Sequence, residues 1–153
     1  MPSSLFASEA GLKVIDVEPL PMIQFSSIST NLNFVQKHPD LVERFMKGLL
    51  EGIAFFKTRP DKAIDIIQRR YTKAGQMNRE QAALTHASVA SVLEARMFPT
   101  MQAIANVYEE ALRQDKEDAA RVNPMELWDL HHLRRLDDAG FIDGLYGNQR
   151  PTH

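Results

Sequence analysis

From Pro39 to Tyr71 apolar residues recur every three or four positions, first as Leu41, Phe45, Leu49, Ile53 and Phe56, then as Ala63, Ile64, Ile67 and Tyr71. That spacing follows the helical turn of about 3.6 residues and not the two-residue period of a strand, so it restricts the stretch to helices. Val42, Met46 and Leu50 widen the first stripe into a broad apolar face. A face that broad requires a large surface to cover it.

Pro60 cuts the stretch in two, and both halves open on the same dipeptide, Pro39-Asp40 and Pro60-Asp61. Proline suits the first helical position because its missing N–H has no partner there, and the aspartate complements the positive helix end. Pro99 and Pro124 open two further segments at unequal spacing, so the prolines are punctuation and not a repeat.

Between them, Gly75 reads as a helix stop and Asn78 as the N-cap of a helix from about Arg79 to Glu94, whose small residues imply close packing. A fourth helix begins near Pro99 or Thr100 with Met101, Ile104, Tyr108 and Leu112 on one face. A fifth follows Asn123-Pro124 with Trp128, Leu133 and Leu136 inward, and stops at Gly140.

The N-terminal part reads differently. PSSLFASEA forms one or two helical turns stopped by Gly11, LKVIDV alternates as a strand, and residues 22 to 34 form a second strand running into a polar turn. These strands have no sheet partner within the chain, and an isolated pair is marginal in water.

At 153 residues, 44% of them hydrophobic and 25% charged, the chain has the makings of one soluble domain. A net charge of -2 with both signs interspersed argues against a nucleic-acid partner. The absence of cysteine excludes disulfides, zinc-thiolate sites and thiol nucleophiles. No apolar run is long enough to span a bilayer, and no Lys or Arg precedes Lys13, so no secretory signal is read.

His131 and His132, with Asp129 and Glu126, are the densest group of potential metal ligands, but neighbours on a helix point about 100° apart and cannot share one ion, so no metal is expected. His38 and His86 stand alone. The carboxylate pairs Glu109-Glu110, Glu117-Asp118 and Asp137-Asp138 lie in charged, solvated stretches, and no nucleophile elbow or phosphate loop is present, so the chain is expected not to be an enzyme. The helix, Gly-containing turn and helix over 61–93 is a weak match to a DNA-reading helix-turn-helix, because Arg69, Arg70 and Lys73 precede the turn instead of lying on the second helix. Ser27, Ser29, Thr30 and Asn31, hydroxyls and an amide at a strand's end, are the candidate ligand-binding residues.

In order, the stretches PSSLFASEAGLKVI at 2–15, FVQKHPDLVERFMKGLLEGIAFFKTRPDKAIDII at 34–67 and LWDLHHLRRLDDAGFIDGLY at 127–146 resemble the C-terminal half of ABC-transporter substrate-binding proteins of the nitrate/sulfonate/taurine type, which are type II periplasmic binding proteins. The resemblance implies an α/β parent fold of two lobes, of which this chain is a mostly helical fragment with one or two short strands. Residues 1–21 are then the tail of the second lobe, 22–34 a hinge strand, 35–146 the helical part of the first lobe and 147–153 a tail.

It further implies a truncated solute-binding component for a small anion or heterocycle, working with a membrane permease and without a cofactor. The family is periplasmic or anchored outside the cytoplasm, whereas the chain as written is expected to stay in the cytoplasm. A minority of the wider family make a thiamine pyrimidine, with reactive residues expected outside this stretch. Lacking its sheet, such a fragment is expected to self-associate through bare apolar helix faces. The rival expectation is a self-contained helical protein-interaction domain.

Overall fold

The structure, a computed structural model, describes residue 7 and residues 10–13, 27–72 and 77–147. Among them every regular element is helical: α1 (Leu32–Lys37), α2 (Pro39–Thr58), α3 (Pro60–Thr72), α4 (Arg79–Val92), α5 (Met101–Gln114), α6 (Lys116–Ala119), a 3-10 turn (Pro124–Leu127), α7 (His131–Asp138) and α8 (Phe141–Tyr146). The α/β architecture expected from the sequence is thereby corrected to an all-helical one among the described residues.

The reason is legible at Asn31. Its side-chain oxygen accepts the Phe34 N–H at 2.8 Å, which starts α1 where the strand over 22–34 was expected to continue. Residues 27–31 are irregular, and residues 22–26 lie outside the described ones. So do Gly75 and most of LKVIDV.

Helix punctuation falls where the side chains dictate. Pro39 and Pro60 stand first in α2 and α3. Asn78 and Gln81 form a reciprocal capping box that starts α4, and Thr100 caps α5 by accepting the Ala103 N–H. Gly11 has φ +79° and the Leu12 N–H reaches back to the Ala7 carbonyl at 2.8 Å, the bond that closes a helix behind a left-handed residue. Gly140, at φ +71°, follows α7, its own N–H bonded to the Asp137 carbonyl at 2.8 Å.

The fifth helix departs from expectation. Asn123 caps only the short 3-10 turn, Trp128 is extended, and Asp129 accepts the His131 N–H at 2.9 Å to begin α7 afresh. α4 ends two residues early, its C-cap at Leu93. In α5 Ile104 is buried and Met101 is exposed.

The chain forms two compact units, and α2 contributes to both, the boundary falling between Lys47 and Gly48. In the unit containing Gly48–Arg96 and the chain from Ile142, α3 packs on α4, and Leu50, Ile53, Ala54, Ala63, Ala82 and Ile142 are buried. The C-terminal ends of α2 and α4 satisfy one another there. The last four carbonyls of a helix have no partner inside it. Lys57 of α2 donates to the Ala90 and Leu93 carbonyls, both at 2.8 Å, while the His86 ring of α4 bonds the Phe56 carbonyl at 2.8 Å.

In the other unit, Glu18–Lys47 with Met97–Phe141, α5 packs on α6 and on the 3-10 turn, and Ala103, Ile104, His132, Leu133 and Leu136 are buried.

Candidate functional site

Ser27, Ser29, Thr30 and Asn31 all lie in an exposed, irregular stretch. Asn31 commits its side-chain acceptor to starting α1. The other three stand beside it in sequence, and among the described residues no second element brings a hydrogen-bonding group to them.

The histidines separate. His131 is exposed, whereas His132 is buried with its Nδ1 lacking a hydrogen-bond partner, and the two rings meet edge to face at 5.5 Å. Among the described residues no three His, Asp or Glu side chains gather as metal ligands. His86 is a core residue. Its ring lies 4.6 Å from that of Phe56, and because a carbonyl only accepts, the Nε2 bonded to the Phe56 oxygen carries the proton. The carboxylate pair Glu109-Glu110 is held by Arg113 on the helix surface.

A cleft of about 480 Å³ opens beside α7, lined by Glu43, Lys47, Arg135, Leu136, Asp138, Ala139 and Phe141. Its two cations share one carboxylate. Glu43 accepts from Lys47 at 2.9 Å and from Arg135 at 3.0 Å, and Lys47 also lies 5.8 Å from the centre of the Phe141 ring. The hydrogen bond from Lys47, aided by the nearby charges of Arg135 and His132, holds the Glu43 carboxyl below its ordinary value. With both cations engaged by Glu43, the cleft offers no uncommitted cation to a ligand. At the C-terminal end of the chain, burial raises the Tyr146 phenol above its ordinary pKa, against the lowering effect of Arg96, and its hydroxyl has no hydrogen-bond partner.

The surface that stands out is on α2 itself. Leu41, Phe45, Gly48, Gly52 and Phe55 follow at steps of four, three, four and three, which places them within an arc of about 80° on one helix side. Leu41 is 45%, Phe45 51% and Phe55 38% exposed, and both glycines are exposed too. A Cβ added at Gly48 or Gly52 meets nothing within 4 Å. The opposite side carries Leu50, Ile53 and Ala54, all buried. Because the five residues share one unbroken helix, helix geometry alone fixes their mutual placement.

Of the apolar stripe read from the sequence, Leu41 and Phe45 face water and Ile53 is buried. The signal that locates the exposed row is the pair of glycines inside an otherwise strong helix, where each costs about 1 kcal/mol relative to alanine.

No family model, curated protein or solved structure matches the chain. Among the described residues no helix is long and apolar enough to cross a membrane.

Proposed function

We propose that the chain is a helical protein-interaction module that binds another polypeptide helix along the exposed row of α2. The observation that carries this reading is the two-sided helix: one side is buried by the chain's own core, and the other presents Leu41, Phe45 and Phe55 to water around a glycine floor. Such a row, apolar at heptad spacing with room for close backbone approach, is the surface an amphipathic helix docks against.

A library of helical peptides selected on the wild-type chain, with the Leu41→Gln/Phe45→Gln double variant as counter-target, tests it. The expected result is enrichment of amphipathic helices that bind the wild type and not the variant, while the variant loses under about 2 kcal/mol of stability in dilute solution. A loss of about 5 kcal/mol or more means the row is core and contradicts the reading. So does a selection in which no peptide distinguishes the two proteins.

A second reading, a solute-binding component of an importer with a permease partner, is supported by the three quoted stretches of sequence and by the succession of two proline-led helices, α2 and α3. Calorimetry with taurine, nitrate and a pyrimidine addresses it. Saturable heat that disappears in a Ser29→Ala/Asn31→Ala variant supports it, and no heat with any of the three removes it.

A further inference from the structure

The row on α2 is self-complementary when run antiparallel to itself. We infer that its occupant is the α2 helix of a second copy of this chain, crossing on a two-fold axis at Gly48; this rests on the interaction-module reading and names its partner. The axis sets Gly48 against Gly48 of the other copy, so the backbones meet where no side chain holds them apart. Moving outward, Phe45 lies over the second copy's Gly52 and Leu41 packs on its Phe55, a large side chain over a small one and then two large ones together. The same contacts repeat on the other side of the axis.

The flanks agree in charge. Arg44 and Glu51 stand seven residues apart on one edge of the row, both exposed, and neither forms an ion pair among the described residues. In an antiparallel pair, residues on that edge face the same edge of the other helix, so Arg44 meets the second copy's Glu51 and Glu51 meets its Arg44. A parallel pairing loses both contacts, because it sets this edge against the edge carrying Val42 and Leu49. Opposite charges in one direction and none in the other select the antiparallel arrangement.

The natural sequence lacks cysteine, so single-cysteine variants report this geometry without background. Sedimentation equilibrium of the full chain over a wide concentration range is expected to show a monomer–dimer equilibrium. Arg44→Glu and Glu51→Arg should each weaken it about tenfold, and the double reversal should return it to about the wild-type value. Both positions are exposed, so folding is not at stake. On mild oxidation Gly48→Cys should cross-link to itself, and Leu41→Cys should cross-link with Phe55→Cys in a mixture but not with itself.

Self-cross-linking of Leu41→Cys, or a dimer indifferent to the charge reversals, overturns the antiparallel pairing. A wild type that stays monomeric at every concentration overturns self-pairing altogether. The interaction-module reading survives that last result if row-specific peptides bind, and fails with it if they do not.

Discussion

On one side of α2, Leu50, Ile53 and Ala54 are buried; on the other, Leu41, Phe45 and Phe55 remain 38–51% exposed. The two sides differ little in apolar character. What separates them is what the rest of the chain brings up against each. The inner side ends in the reciprocal carbonyl contacts of Lys57 and His86, which give the last turns of α2 and α4 the partners that water would otherwise supply. The outer side meets nothing at its glycines. Burial here is decided by the available partner surface, and the second apolar side left bare on the same helix is what the proposed interaction surface rests on.

The largest contrast is between Leu50 and Phe45. Leu50→Ala empties a fully buried site and should cost about 3 kcal/mol in denaturant unfolding. Phe45→Ala, although it removes more atoms, should cost under about 1 kcal/mol in dilute solution. Equal losses would erase the distinction between the two sides.

Next comes the clamp at the inner end. Lys57→Met keeps most of the apolar stem but leaves the Ala90 and Leu93 carbonyls without their cation, and thermal melts should register a loss of about 2 kcal/mol.

A smaller change has opposite signs in its two readouts. Gly48→Ala should stabilise the dilute chain by about 1 kcal/mol, because the added methyl meets no neighbour and alanine is the better helix former. It should also weaken self-association, because the methyl stands where two backbones approach. Parallel changes in both would deny the outer side any role of its own.

The smallest effect is a pH dependence at Glu43. Its carboxyl is held below its ordinary value by Lys47, so the folded chain binds fewer protons there than the unfolded chain as acid is added. Its stabilising contribution is complete above the unfolded carboxyl value of about 4.3 and is lost as pH falls through the lower folded value. Glu43→Gln should therefore flatten the acid limb of the stability curve, with a small loss of stability at neutral pH that vanishes at low pH.

Much of the punctuation was legible in the sequence because it is local chemistry. Pro39, Pro60, Asn78, Thr100, Gly11 and Gly140 act through their own backbone or a bond three or four residues away. The buried side of α2 was not legible. With Val42, Met46, Leu49, Leu50, Ile53 and Phe56 spread around most of the helix, periodicity admits several inward sides, and tertiary contact chooses among them. Within the described part of the strand expected over 22–34, Asn31 captures a backbone N–H that an extended chain would leave for a neighbouring strand, and a helix starts there instead. The fifth helix was too long because the Asn123 cap serves the 3-10 turn alone, and α7 starts separately where the His131 N–H bonds to Asp129. The ligand residues Ser27, Ser29, Thr30 and Asn31 were chosen by type alone, and type does not report whether other side chains converge on them.

Thiol reactivity measures the two sides of α2 most directly. In dilute, folded protein, Phe45→Cys is expected to react with a water-soluble maleimide at close to the rate of a free thiol. Ala54→Cys, a small replacement at a buried position, is expected to react only as fast as the chain unfolds. Equal protection at the two positions would contradict an uncovered outer side, and with it the interaction surface proposed for this protein.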